Sequence, residues 1–284
     1  MAPRRSGVYV EAMTNTPISP FRRRQGLRQR RFRAIPVRTL VPNLITLLAL
    51  CAGLTAIRLA TEGKLEWALG AIVFAAVLDG LDGRVARLLK GTSRFGAELD
   101  SLADFVDFGV APAIVLYFSG LTELRGLGWL VCLLFAIAAA LRLARFNIMI
   151  DDPEIPAWRK GFFVGMPAPA GAVVGLLPVY IKVLGSGASE NVARGWVGLE
   201  AAYVLAIAML MASRVPHFSG KSIGRIPREY VAVALIGVVA ALLSIAYYPL
   251  QALVALSAFY LGSIPFAIRR YGRMEAQKAS GEIA

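Results

Sequence analysis

The chain of 284 residues consists mostly of apolar runs of about 20 residues, separated by short polar segments. A helix of that length matches the hydrocarbon core of a bilayer, which is about 30 Å thick. The pattern therefore predicts an all-α membrane protein with about eight transmembrane helices. The predicted spans are residues 40–60, 67–90, 97–119, 127–149, 161–184, 196–214, 229–247 and 249–268.

The basic residues indicate which polar segments face the cytoplasm, because Lys and Arg collect in short cytoplasmic loops. If the N-terminus is cytoplasmic, 26 of the 31 Lys and Arg residues lie on that side. The residues left outside are Arg58, Lys64, Arg125, Lys182 and Arg194. This distribution predicts an even number of spans with both termini in the cytoplasm.

The composition divides the chain into three parts. Residues 1–38 carry ten arginines and a single acid, Glu11, which predicts a disordered polybasic cytoplasmic tail against anionic headgroups. Residues 39–269 form the predicted transmembrane domain, and residues 270–284 form a cytoplasmic C-terminal tail. The net charge of +13 follows the predicted topology rather than a groove or a recognition helix, so we expect no nucleic-acid partner.

Histidine and cysteine are too scarce for several kinds of catalysis. His217 is the single histidine in the sequence, which argues against Ser/His/Asp and Cys/His mechanisms. Cys51 and Cys132 both fall within predicted helices, where buried free thiols are expected. Any proton transfer must therefore use a carboxylate, Lys or Tyr.

Four aspartates lie within two otherwise apolar segments, where an ionised side chain is costly unless it has a function. Asp79 and Asp82 share one face of a predicted helix, and Asp100 and Asp104 are four residues apart on the next. The polar segment between the helices, residues 90–95, is short. We therefore expect an antiparallel hairpin that brings the four carboxylates together near the cytoplasmic surface.

A cluster of carboxylates without His or Cys selects hard cations such as Mg²⁺, Mn²⁺ or Ca²⁺. Four aspartates suit two divalent ions, which together stabilise the attacking and leaving oxygens of a phosphoryl displacement. Gly83, Ala86 and Gly96 are small enough to let a nucleotide or a helix approach, and Arg87 and Arg94 are placed to hold phosphate. Two alternatives remain: a folding network between the acids and nearby arginines, and an ion or proton path.

The spacing D-x2-D-G-x2-A-R-x8-G-x3-D-x3-D resembles the complete signature of the CDP-alcohol phosphatidyltransferase family. The matching positions are Asp79, Asp82, Gly83, Ala86, Arg87, Gly96, Asp100 and Asp104. The resemblance implies a multi-helix membrane enzyme, commonly a homodimer, that transfers a phosphatidyl or related group from a CDP-linked donor to an alcohol and releases CMP.

The resemblance also implies a role for each matching residue. Asp79, Asp82 and Asp100 would bind a first divalent cation, and Asp104 would bind a second and act as the general base. The expected cofactors are two Mg²⁺ or Mn²⁺ ions, with Ca²⁺ as a candidate at one site. The residues expected to bind the CDP-lipid are Asn43, Thr46, Asp79, Gly83, Ala86, Arg87, Ser93 and Gly96.

Five further segments resemble the branch of the family that uses L-serine as acceptor. They are VPNLITLLALCAGLTAI, DSLADFVDFGVAPA, LRLARFN, GMPAPAGA and SRVPHFSGK. The implied reaction joins CDP-diacylglycerol and L-serine to give phosphatidylserine and CMP, among the lipids of a bacterial inner membrane and with the active site facing the cytoplasm. The same chemistry with choline or glycerol 3-phosphate is the alternative, and a cation transporter is a distant one.

Serine presents a carboxylate and an ammonium beside its hydroxyl, so its site should offer a cation and an anion. Arg142 and Arg145 lie at the cytoplasmic end of the fourth predicted helix, and Lys221 follows the sixth. Asp107, where that branch is expected to have a small polar residue, lies one turn deeper than Asp104 and is placed to meet the ammonium. The alternatives are ordinary positive-inside anchoring for the arginines and a structural ion pair for Asp107.

Overall fold

The computed structural model describes most of the predicted transmembrane region. The described residues are 37–150, 162–185, 190–213, 215–218, 236–237, 239, 243–245 and 247–279. They belong to one structural unit, Ile35–Ala284. The predicted polybasic tail, apart from its last two residues, and most of the predicted span 229–247 lie outside the described residues.

Helices make up nearly all of the described structure. In chain order they are α1 Val37–Thr61, α2 Leu65–Leu88, α3 Arg94–Phe105, a π-helical turn Val106–Val110, α4 Ala111–Ser119, a 3₁₀ turn Leu121–Leu124, α5 Gly126–Ile150, α6 Ala168–Gly175, α7 Leu177–Leu184, α8 Glu190–Ala212 and α9 Pro249–Ala279. Two short strands, β1 Phe162–Val164 and β2 Pro216–Phe218, pair in antiparallel fashion with Phe163 opposite His217.

Several of these helices are suited to a bilayer. Within the described residues, four helical segments are long and apolar enough to cross it, and two shorter apolar ones accompany them. The four are Arg38–Thr61, Arg94–Ser119, Gly126–Met149 and Pro249–Arg273, and the shorter ones are Ala168–Leu184 and Trp196–Ala212. The chain is therefore a helical membrane protein, as predicted, while the total of eight spans and the orientation stay predictions.

The structure differs from the predicted helices in two places. The predicted span 97–119 begins at Arg94 and contains the π-helical turn, where one extra residue per turn changes the helical register. The predicted span 161–184 begins with β1 and becomes helical only at Ala168. It is then interrupted at Leu176, because Pro178 lacks the N–H that a continuous helix needs there.

The apolar core lies between the long helices. α1 packs along α2, and α5 packs along α8. The largest buried side chains include Phe135, Tyr180 and Met211. A smaller cluster joins Phe108, Leu143 and two alanines of α6, directly behind the acidic helix α3. α3 packs against both α1 and α5, and the π-helical turn that follows it contacts α2.

A polar cluster joins three helices at the far end of α4. Lys182 of α7 forms an ion pair with the buried Glu200 of α8. Its ammonium also donates to the Ser119 carbonyl oxygen over 3.2 Å, and the Ser119 hydroxyl lies 3.3 Å from Glu200 Oε1. Since each charge has a partner, this cluster can remain buried in an apolar surrounding.

Candidate metal and nucleotide site

A tight turn between α2 and α3 builds the predicted acidic hairpin. Lys90 adopts a left-handed conformation with φ of 51°, and the Gly91 amide bonds to the Ala86 carbonyl over 2.9 Å, which ends α2. A side chain at Gly91 would overlap the carbonyl oxygen of Arg38. Ser93 begins α3, because its hydroxyl accepts a 3.0 Å hydrogen bond from the Gly96 amide.

The hairpin brings three of the predicted metal ligands together. Asp79 and Asp82 of α2 and Asp100 of α3 each place one carboxylate oxygen within 4.8 Å of the others. Asp82 is buried, with 4% of its surface exposed, and the other two are half-buried. These are hard oxygen donors at a separation that one divalent ion can bridge.

Asp104 lies one turn further along α3 and joins the same cluster. Its carboxyl group is within hydrogen-bonding reach of that of Asp79. Two ionised carboxylates so close repel each other, so a cation or a shared proton must stabilise the pair. The structure thus groups three of the four predicted aspartates, and it places Asp104 beside one of them, Asp79.

α1 supports this cluster from the side. The Thr46 hydroxyl lies 2.7 Å from Asp82 Oδ2 and 3.1 Å from the Pro42 carbonyl oxygen, and it donates its single proton to the closer carboxylate. α1 and α3 approach closely at Gly96, where a Cβ would lie 2.8 Å from Asn43 Oδ1. Thr46 and Gly96 therefore have structural roles here besides the predicted contact with the CDP-lipid.

The side of the hairpin that is predicted to bind the nucleotide is open. A Cβ on Gly83 would meet nothing closer than an Arg87 guanidinium nitrogen at 3.7 Å, and the Arg87 side chain is exposed. Ala86 beside them is half-buried. Among the ion pairs of the described residues, none joins an arginine to these aspartates. The folding-network alternative therefore has no support in the described part of the chain.

Asp107 is the most unusual side chain beside the cluster. It lies in the π-helical turn with 1% of its surface exposed, and its Oδ1 has no hydrogen-bond partner among the described residues. It packs so closely on Gly53 of α1 that a Cβ there would overlap Oδ1 and lie 3.0 Å from Cγ. An unpaired buried oxygen calls for a ligand or an ordered water.

The predicted acceptor-binding arginines bind backbone carbonyls. Arg142 is buried, and its Nε donates to the Met166 carbonyl over 3.1 Å. Arg145 donates to two carbonyls at the end of α8, those of Ala212 and Ser213, each over 3.0 Å. Neither arginine forms an ion pair with Asp107 in the described structure, so that alternative is not observed. Lys221 lies outside the described residues.

Two further residues at the site were not predicted from the sequence. Gly53 makes room for Asp107, and Asn147 donates a 2.9 Å hydrogen bond to the Ser101 hydroxyl beside Asp100. Both lie in segments already noted for their resemblance, VPNLITLLALCAGLTAI and LRLARFN. An amide at the polar end of an apolar helix was the available signal for Asn147. No local pattern distinguishes Gly53 from other helix glycines.

Comparison with protein families shows which family the acidic signature belongs to. The family model for CDP-alcohol phosphatidyltransferases matches residues 39–212, which include all four aspartates. The chain belongs to the CDP-alcohol phosphatidyltransferase family. The resemblance predicted from the motif is thereby confirmed, and the family match extends over α1 to α8.

Three relatives of this chain carry the same name, CDP-diacylglycerol--serine O-phosphatidyltransferase. The protein of Mycobacterium leprae is 44% identical over 248 residues, covering 85% of this chain and 78% of the relative. That of Mycobacterium tuberculosis H37Rv is 44% identical over 234 residues, covering 81% and 78%. That of Methanocaldococcus jannaschii is 32% identical over 194 residues, covering 63% and 86%.

Proposed function

We propose that this protein transfers the phosphatidyl group of CDP-diacylglycerol to L-serine, giving phosphatidylserine and CMP in phospholipid biosynthesis. The observation that carries the proposal is the convergence of Asp79, Asp82 and Asp100 within 4.8 Å, with Asp104 in contact, at the family's signature positions. The mycobacterial and archaeal relatives, each named for serine as acceptor, support the choice of substrate.

The donor set fits two divalent cations, Mg²⁺ or Mn²⁺, with Ca²⁺ as a candidate at one site. Asp79, Asp82 and Asp100 would hold the first, and Asp104 would contribute to the second. When bound, such ions neutralise the diphosphate and polarise the phosphorus under attack. Thr46 fixes the orientation of Asp82, as partners of metal-binding carboxylates commonly do.

Asp104 is the general base of the proposed reaction. It removes the proton from the serine hydroxyl, whose oxygen then bonds to the phosphorus that carries diacylglycerol. The bond from that phosphorus to the CMP oxygen breaks, and CMP leaves with the electron pair. The proton on Asp104 passes to water or to the departing CMP. The scarcity of histidine and cysteine in the sequence argues against either residue type as the base. A carboxylate beside the metal ligands is therefore the candidate that fits best.

The CDP-lipid occupies the open side of the hairpin. Arg87 is exposed and has no carboxylate partner in the described structure, so its guanidinium is available to the diphosphate. Gly83 leaves space at the backbone for the nucleotide. The remaining donor contacts are assigned to Asn43, Thr46, Asp79, Ala86, Ser93 and Gly96.

The acceptor site uses the two arginines of α5 together with Lys221 and Asp107. A guanidinium has five N–H donors, and the described bonds use few of those of Arg142 and Arg145. The remaining N–H donors of the two arginines, together with Lys221, bind the serine carboxylate. Asp107 binds the ammonium, which gives its unpaired oxygen a partner.

The active site faces the cytoplasm of a bacterial inner membrane. Eight spans with both termini inside put the hairpin turn on that side, so serine and CMP exchange with water while the acyl chains stay among membrane lipids. We also propose that residues 39–269 form the transmembrane domain and that two copies of the protein form a homodimer. The mass of the purified protein in lipid nanodiscs tests the dimer.

An acceptor assay tests this function. Purified protein receives CDP-diacylglycerol, Mg²⁺ or Mn²⁺, and labelled L-serine, choline or glycerol 3-phosphate in turn. We expect labelled phosphatidylserine and equimolar CMP with serine, and no reaction after chelation of the metal. Transfer to another acceptor would refute the choice of serine. Metal flux across vesicles without CMP release would instead indicate the transporter.

A further inference from the structure

α3 carries two of the four aspartates, and its apolar packing is concentrated at its C-terminal end. Of its described residues, Arg94–Phe105, Ala103 is the one that is buried. Phe95 and Leu102 are 69% and 64% exposed and point away from the core. Apolar contacts therefore hold the C-terminal end of α3 and do less to fix the turn that carries Asp100, although Asp100 and Asp104 must face α2.

A polar contact on the other flank of α3 supplies that constraint. The Asn147 amide of α5 donates to the Ser101 hydroxyl over 2.9 Å, and this hydroxyl donates to the Ala97 carbonyl over 3.0 Å. Ser101 follows Asp100 directly, so it lies about 100° around the helix from it. The bond from α5 and the close approach of α1 at Gly96 thus hold α3 from two sides.

The end of α5 that carries Asn147 is itself fixed. Arg142 binds the Met166 carbonyl before α6, and Arg145 binds the last carbonyls of α8. Gly165, next to Met166, has a φ of 81° and no room for a side chain, because a Cβ would lie 2.7 Å from the Ser213 carbonyl oxygen. Asn147 is therefore presented to α3 from a rigid support.

We infer that Asn147 is a positioning residue for the cation site, acting through Ser101 to keep Asp100 and Asp104 turned towards α2. A rotation of α3 by about 20° would move a carboxylate oxygen lying about 5 Å from the helix axis by about 2 Å. Metal coordination tolerates deviations of about 0.2 Å. The inference rests on the proposed function in that the cluster binds divalent cations.

Mn²⁺ binding without substrates, followed by electron paramagnetic resonance, tests this role apart from catalysis. The variants are Ser101→Ala, Asn147→Leu and their combination. We expect each single change to weaken Mn²⁺ binding about tenfold, as loss of a supporting hydrogen bond around metal ligands commonly does. The combination should be no weaker than either single variant, because both remove the same bond. Ser101→Thr keeps the hydroxyl and should bind as the wild type does.

Tyr203→Phe is the matched control, since it removes a 2.7 Å hydrogen bond between α8 and the Val174 carbonyl of α6. It should leave Mn²⁺ affinity unchanged. Equal Mn²⁺ affinity in the wild type and both single variants would overturn the role of Asn147, as would additive losses in the combination. If Asn147→Leu fails to fold, Ser101→Ala tests the same bond. Absence of Mn²⁺ binding by the wild type would refute the proposed function itself.

Discussion

Replacing Gly53 with Ala tests the close contact between α1 and the π-helical turn. The new Cβ would overlap Asp107 Oδ1 and lie 3.0 Å from Cγ and 3.3 Å from Cα, whereas carbon atoms pack at about 3.5 to 4.0 Å. Because Asp107 is buried, α1 and the π-helical turn must separate or the carboxylate must turn away. Overpacking of this kind lowers the free energy of unfolding by about 1 to 3 kcal/mol. The higher helix propensity of alanine offsets about 1 kcal/mol of this loss.

Gly70→Ala is the matched control for this change. Gly70 also lies inside a long helix, but a Cβ there meets nothing within 4 Å. Thermal unfolding in detergent should show Gly70→Ala at or above the wild-type midpoint and Gly53→Ala below it. Adding Asp107→Ala should recover part of the loss, since it removes the overlapped atoms. Equal stability of the two glycine variants, or no recovery in the double variant, would refute the packing argument.

Two further predictions concern single side-chain contacts. Thr46→Val removes the hydroxyl that bonds to Asp82 and should raise the metal concentration for half-maximal activity about tenfold. Thr55→Val, which loses only a bond within its own helix, should leave that concentration unchanged, and equal effects would contradict the role of Thr46. Lys182→Met leaves Glu200 buried without its partner and should lower the free energy of unfolding by about 3 to 5 kcal/mol. Adding Glu200→Leu should restore stability. A Lys182→Met variant as stable as the wild type would disprove the stabilising role of this ion pair.

The hairpin and its four aspartates could be predicted because their information is local. Helical periodicity fixes which of Asp79, Asp82, Asp100 and Asp104 share a face, and a short connection forces their helices to be antiparallel. The long apolar runs likewise specify spanning helices without knowledge of their neighbours. The interruption at Leu176 also had a local signal, the proline two residues later, which hydropathy alone does not weigh.

The remaining features depend on contacts between distant parts of the chain. The β1–β2 ladder pairs residues that are about 50 positions apart, and nothing in either strand of three residues specifies its partner. The same holds for Gly53 against Asp107 and for Asn147 against Ser101. Ser93 shows a related difficulty, because a serine at a helix start serves equally as a cap and as a ligand contact, and the structure shows the cap.

The central claim is that the acidic hairpin catalyses phosphatidyl transfer with Asp104 as its base. The most direct measurement is the formation of phosphatidylserine and CMP from CDP-diacylglycerol and L-serine by the Asp104→Asn variant, beside Glu98→Gln as a control on the exposed side of the same helix. We predict that Asp104→Asn forms neither product yet still binds CDP-diacylglycerol, while Glu98→Gln turns over at the wild-type rate. Full transfer activity in Asp104→Asn would contradict the assignment.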